Sequence, residues 1–169
     1  MSTFQIIKAP SPILSSYCTE VTKINNENEI KKRKELADKM LRTMQKSGGI
    51  GLAAPQVGIL ERMFVIHIQG DDKNEIPGYN STCDPLCIIN PRIIELSKEK
   101  INLPEGCLSV QEVGNQIMII RPKYLTMEYF DCNGKEQSLK ADGWLARCIQ
   151  HELDHLNGIL FIQHLLRYL

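Results

Sequence analysis

The sequence predicts an α+β fold in which small, mostly antiparallel β-sheets pack around a central helix carrying His151-Glu152-Leu153-Asp154-His155. Three observations predict it. Short apolar, β-branched runs precede and surround one late helix, an order that argues for α+β. Two strand-like runs flank Cys132-Asn133-Gly134-Lys135, and Asn-Gly is a strong hairpin signal. Residues 144–156 contain neither Gly nor Pro, with Asp142 as a cap before them and Gly158 as a stop after them.

The other elements follow in order. Residues 4–14 are mostly apolar and extended, interrupted by Pro10 and Pro12. Residues 30–47 form the first helix: Ile30, Leu36, Met40, Leu41 and Met44 recur at helical spacing, and Gly48 and Gly49 end it. Lys31, Lys32, Arg33 and Lys34 read as its solvated face. The small residues of 49–58 let a backbone approach a ligand closely. Residues 63–68 make a buried strand and 69–84, with Pro77 and Gly78, a loop. Strands over 86–89 and 93–96 flank Asn90-Pro91, and 98–100 is a charged turn. Residues 116–120 are extended, 124–130 and 136–141 form the hairpin, and 161–169 is a short packed helical tail. Residues 1–169 read as a single domain, long enough to bury a core without staples and free of repeats or low-complexity segments.

Charge and composition exclude several classes. Twenty basic and 20 acidic residues give a formal charge of zero, and no basic stripe steers the chain toward nucleic acid. No apolar run approaches the roughly 18–20 residues of a membrane span. Residues 1–10 lack the apolar core of a secretory signal, so the cytoplasm is the expected location. The six cysteines are then expected as reduced thiols. Cys83 and Cys87 read as a C-x-x-x-C in a surface loop, weak evidence for a metal, and whether an oxidising buffer joins them stays open.

The chemistry is in the late helix. Residues four apart share a helix face, so His151 and His155 can aim two imidazoles at one metal ion, with Glu152 beside it. Two neutral nitrogens and a carboxylate that moves protons suit metal-assisted hydrolysis. A chance H-E-x-x-H on a solvated helix is common, and a hydrolytic site needs a third ligand. His67, in an apolar run, and His164, near the end, are poor choices. Cys107, in the turn Glu105-Gly106-Cys107-Leu108-Ser109, is easier to aim, although a buried free thiol is its ordinary alternative.

Three stretches, in this order, resemble motifs of the peptide deformylase family. Gly49-Ile50-Gly51-Leu52-Ala53-Ala54-Pro55-Gln56 resembles its G-x-G-L-A-A-x-Q, Glu105-Gly106-Cys107-Leu108-Ser109 its E-G-C-L-S, and Gln150-His151-Glu152-Leu153-Asp154-His155 its Q-H-E-x-D-H. Together, at family-like separations, they are highly specific, and the resemblance runs from Ile6 to Leu165.

The resemblance implies a hydrolase that removes the N-formyl group from the formyl-methionine of new polypeptides and releases formate. It implies one divalent metal on Cys107, His151 and His155, with Fe²⁺ native and Zn²⁺, Ni²⁺ or Co²⁺ as alternatives. A water at the open position would attack the formyl carbon, with Glu152 as general base and then acid. The Gln56 amide and the Leu108 N–H would receive the oxyanion. The partners would be N-formylmethionyl peptides emerging from the ribosome, and a monomer is expected.

Trp144, Arg147 and Cys148 lie seven, four and three residues before His151 and share its face. With Ile50 they would line the methionine pocket, Arg147 giving its stem as wall and its head to water. Gly51 and Gly106 carry no side chain where a peptide backbone would lie. Glu105 and Arg121 are expected to pair and brace the Cys107 loop. Gln111 stands where the family often has Pro, and Arg147 where it often has an apolar residue. A zinc peptidase would use the same helix but gives no role to Gln56 or Cys107. A non-catalytic metal protein would add a fourth ligand and give Glu152 no task.

Overall fold

Helix α1 forms over Glu27–Lys46, three residues ahead of the predicted start, because Asn26 caps it: its side-chain oxygen accepts the Glu29 N–H at 3.1 Å. The computed structural model describes residues 2–69, 82–111 and 117–168. The loop predicted over 69–84 therefore lies mostly outside the described residues. Lys31, Lys32 and Lys34 are exposed as predicted, but Arg33 is only 4% exposed, its guanidinium donating to the carbonyls of Lys23 and Ile24.

The strands are β1 (Gly51–Ala53), β2 (Met63–Ile68), β3 (Cys83–Leu96), β4 (Lys100–Glu105), β5 (Ile117–Pro122), β6 (Tyr124–Phe130) and β7 (Glu136–Asp142). Their pairings are antiparallel. Five form a sheet in the order β1-β2-β3-β6-β7, while β4 and β5 form a separate ribbon. The Asn-Gly turn joins β6 to β7 as predicted. β2 is a nearly continuous buried run because both faces of the sheet are covered. Phe64 and Ile66 pack with Ala146 and Ile149 on one side; Met63 and Val65 pack with Met40 and Met44 of α1 on the other.

The two strands predicted around Asn90-Pro91 are one strand with a bulge. Asn90 takes a φ of 50°, and the register with β6 shifts between Ile89 and Arg92. The Asn90 side chain accepts the Val21 N–H at 2.8 Å and donates to the Val21 carbonyl at 2.9 Å, which holds the irregularity in place. A bulge tolerates the N–H that Pro91 lacks.

The cysteine expectation needs correction. Ile89 pairs with Phe130, and continuing that register by two residues sets Cys87 opposite Cys132. The two are joined as a disulfide, with Cα atoms 5.9 Å apart. Cys83 and Cys87 lie four residues apart in one extended strand, about 13 Å, and cannot meet. Cys18, Cys83, Cys107 and Cys148 are free thiols.

Helix α2 spans Gly143–Leu156. Asp142 occupies its cap position, although its side chain makes no cap bond. Gly158, with φ +70°, ends it where the chain crosses closely: a Cβ there would meet the Ser15 carbonyl oxygen at 2.6 Å. Leu145, Ala146, Ile149 and Leu156 pack on the sheet. Arg147 and Gln150 donate to carbonyls of Ile101, Ile119 and Pro122 in the ribbon. The motif helix thus lies between the two sheets, the predicted central position. The tail Phe161–Tyr168 winds as a 3₁₀ helix, and Phe161 packs with Cys107, Val110 and Ile119. Among the described residues, no helix is long and apolar enough to cross a membrane.

Candidate metal centre

His151 and His155 stand one turn apart on α2, their ring centroids separated by 5.0 Å. β4 ends at Glu105, and the turn after it delivers Cys107 to both rings. One donor atom from each of the three buried residues lies within 4.8 Å of the others. Cys107 Sγ stands 3.4 Å from His155 Nε2. Sulfur and nitrogen donors on one tetrahedral ion of zinc size are about 3.6 Å apart, so the set fits a divalent metal. No other such group is present among the described residues. His67 lies 2.9 Å from Gln45 Nε2 and His164 lies 2.7 Å from Asp154 Oδ2, both away from this cluster.

Glu105 orients His151. Its Oε2 accepts from Nδ1 at 3.0 Å, which leaves Nε2 for the centre. Arg121 fixes the carboxylate from the far side, Nε to Oε1 at 2.6 Å and Nη2 to Oε2 at 2.9 Å, the pair that the sequence predicts. Burial alone would raise the Glu105 carboxyl, but bonds from His151 and Arg121 outweigh it and hold it at about 2. Burial likewise pulls His151 down, yet the Cys107 sulfur and Glu105 outweigh it and keep its proton up to about 10. Burial, then the charge of His151, pushes His155 well below its ordinary value, so its ring is neutral, the form that binds metals.

Gln56 is buried, not the surface amide that a loop position suggests. Its Oε1 accepts the Ala53 N–H at 2.8 Å, which settles the orientation of the amide. Nε2 then donates to Ser109 Oγ at 3.0 Å and lies 3.8 Å from Cys107 Sγ. The Ser109 N–H also points at that sulfur, at 3.4 Å. Ser109 belongs to the Glu105–Ser109 stretch, but nothing local in the sequence signals the contact of its hydroxyl or of its N–H. Residues near the N-terminus tie the two loops together: Ile7 N–H donates to the Gln56 carbonyl at 2.8 Å and Ala9 N–H to that of Ser109 at 2.9 Å.

Glu152 is 3% exposed, and its Oε2 has no hydrogen-bond partner among the described residues. Burial raises its carboxyl to about 7, where a general base works best near neutrality. Gly51 makes room for it. A Cβ at Gly51 would collide with Glu152 Oε1 and lie 2.7 Å from Cys148 Sγ. The space that a side chain at this position would fill is taken by Glu152 and Cys148 of α2. Gly51→Ala is expected to displace the Glu152 carboxylate and lower turnover by about 10²-fold or more, with metal content and circular dichroism near wild type. Wild-type turnover in this variant would mean that Glu152 has latitude the collision denies it.

A cavity of about 340 Å³ opens beside these groups, lined by Ile50, Gly51, Gly106, Leu108, Trp144, Arg147 and Cys148, and also by Pro104 and Gln111. Arg147 departs from its predicted pose. Its head does not reach water: the residue is 4% exposed, with Nη1 donating to Glu105 Oε1 at 2.5 Å and to the Ile119 carbonyl at 3.0 Å, and Nη2 to the Ile101 carbonyl at 2.9 Å. The β4–β5 ribbon covers this side of α2 and supplies the planar head with partners.

A family model for polypeptide deformylase matches residues 3–168. The chain is 54% identical to the peptide deformylase of Wolbachia sp. subsp. Brugia malayi (strain TRS), over 98% of this chain and 88% of that protein. The solved peptide deformylase from Ehrlichia chaffeensis is similar with a TM-score of 0.84 at 42% identity, over 96% of this chain and 88% of that one. The class I type b peptide deformylase from Acinetobacter baumannii, solved with Met-Ala-Ser bound, gives 0.86 at 30% identity, over 96% and 98%. With a family model spanning nearly its whole length and relatives that share both sequence and architecture, the chain belongs to the peptide deformylase family.

Proposed function

We propose that Cys107, His151 and His155 hold the divalent metal of this deformylase and that Glu152, Gln56 and Leu108 carry the chemistry around it. The activity is that of the family: hydrolysis of the N-formyl group from formyl-methionine of new polypeptides, with release of formate. One observation carries the assignment of roles: a buried carboxylate and an oriented amide donor converge on a cluster of one thiol and two imidazoles. When bound, the metal supplies Lewis acidity and brings the pKa of a water toward neutrality. Fe²⁺ is the proposed native ion, with Zn²⁺, Ni²⁺ or Co²⁺ able to replace it. Metal analysis of protein purified without oxygen checks this, and a predominance of zinc would overturn it.

Glu152 takes the proton of the attacking water and passes it to the leaving amine. Burial suits it to both steps, because its carboxyl titrates at about 7. Gln56 Nε2, held by the Ala53 N–H on its oxygen, donates to the formyl oxygen as charge develops there. The Leu108 N–H is the second donor. Such a donor is worth about 2.7–4 kcal/mol of transition-state stabilisation. Gln56→Ala is therefore expected to lower kcat by about 100- to 1,000-fold at unchanged metal content; a loss below about tenfold would remove Gln56 from this role.

The methionine side chain is proposed to occupy the cavity against Ile50, Trp144, Cys148 and the Arg147 stem, where a thioether adapts to an irregular apolar wall. The methionine-first peptide in the Acinetobacter baumannii relative supports this. β1 is an edge strand of its sheet and β4 pairs on one side with β5, so a substrate backbone beside Gly51 and Gly106 has strand edges to pair with. Residues 1–169 are proposed to act as one catalytic domain and as a monomer, in the cytoplasm, on peptides emerging from the ribosome. Light scattering tests the monomer, and a dimeric mass would overturn it. The deciding experiment is formate release from a formyl-Met peptide, with metal content measured on the same sample. Cleavage of internal peptide bonds without formate would favour a peptidase.

A further inference from the structure

We infer that Arg147 is a positioning residue that sets the Glu105 carboxylate so that it can hold His151 in the ligating orientation. The inference rests on His151 being a metal ligand. Glu105 Oε1 accepts from Arg121 Nε at 2.6 Å and Arg147 Nη1 at 2.5 Å; Oε2 accepts from Arg121 Nη2 at 2.9 Å and His151 Nδ1 at 3.0 Å. A carboxylate offers about four acceptor sites, and these four N–H groups fill them. The Arg121 fork spans both oxygens and by itself does not choose which one faces the helix. Arg147 adds a second cation on the helix side and so fixes the plane of the carboxylate. It engages Oε1 from the helix side, and Oε2 is left to His151.

The spacing supports this reading. Arg147 and His151 are one turn apart on α2, so two points on the helix meet the two oxygens of one group on β4. The remaining guanidinium bonds reach the carbonyls of Ile119 in β5 and Ile101 in β4, which ties both ribbon strands to the same turn of helix. Arg121 also bonds Asp154 at 2.8 Å. Two arginines thus face Glu105, which is buried, and Asp154, which is partly so. Lysine cannot substitute fully, because a single ammonium lacks the planar fork that reaches Glu105 and two carbonyls together. The head being so engaged, Arg147 presents its stem to the substrate cavity and does not select acidic substrates.

Co²⁺-loaded wild-type, Arg147→Met and Arg147→Lys proteins provide the test. The readouts are the Co²⁺ dissociation constant, from chelator competition, and the visible absorption of the bound ion. Outer-sphere partners of a ligating histidine typically govern metal affinity by about 10- to 100-fold. Arg147→Met is expected to weaken Co²⁺ binding by about that factor and to shift the absorption bands. Arg147→Lys is expected to weaken it comparably while losing less thermal stability. In a Glu105→Gln background, Arg147→Met should add less than about twofold, because its effect passes through Glu105. Wild-type affinity and spectrum in either folded variant, or a full further loss in the Glu105→Gln background, would overturn the inference. If Arg147→Met fails to fold, Arg147→Lys decides by the same criteria. His151→Ala is the control: retained Co²⁺ binding there would overturn the metal-centre reading itself.

Discussion

Glu152→Ala is expected to keep its metal and its fold while losing turnover by at least about 10²–10⁴-fold, the usual worth of general acid–base catalysis. Three donors already converge without Glu152, and a fourth protein ligand would close the position that the reaction needs. The carboxylate sits instead at the wall of the cavity, buried, with one oxygen lacking any partner among the described residues. A buried carboxyl with an unpartnered oxygen costs stability, so removing it should leave thermal stability unchanged or slightly higher. A structural Glu152 would behave in the opposite way. Glu152→Gln keeps the shape and cannot accept the proton, so it should lose activity as Ala does. Metal content, melting temperature and formate release on each variant make the measurement. Near-normal turnover by metal-replete Glu152→Ala would leave the general base unidentified.

The motif helix was legible because its evidence is local. Four-residue spacing dictates a shared face in any α-helix, and the Gly158 stop needs no knowledge of the rest of the chain. The same spacing put Arg147 on the face of His151 correctly and its head in the wrong place. Which part of that face is solvated depends on the β4–β5 ribbon, more than 25 residues away in sequence, arriving to cover it. Asn90-Pro91 misled for a related reason. Locally it reads as a break, and bonds to Val21 and Arg62, both distant in sequence, keep β3 continuous. The Cys87–Cys132 pair required the β3–β6 register, which no local pattern states. Gly51 was noticed for its missing side chain, but the atoms that need the space, on Glu152 and Cys148, are about 100 residues distant. Glu105 with Arg121 was readable because the second group around a ligating residue tends to be charged and near it in the fold.

Cys107→Ala is expected to release most of the metal while the protein stays folded. The thiol is one of three donors, and two imidazoles alone leave a divalent ion without the third protein bond of a catalytic site. Its packing partners, Val110, Ile119 and Phe161, lose contact with a single sulfur atom, a modest change beside the loss of a metal–thiolate bond. Cys148 cannot replace it. Its thiol is fully packed near Gly51, and burial, then the Glu152 carboxylate, push it well above the ordinary cysteine range, so it does not supply a thiolate at neutral pH. Cys148→Ala is therefore the matched control and should retain its metal. Cys107→Ser offers a harder, far less acidic oxygen and should hold the ion weakly. Metal analysis after dialysis, alongside circular dichroism, separates loss of the ion from loss of the fold. Full occupancy in folded Cys107→Ala would remove the thiolate from the centre, and metal lost from Cys148→Ala instead would make Cys148 the thiol ligand.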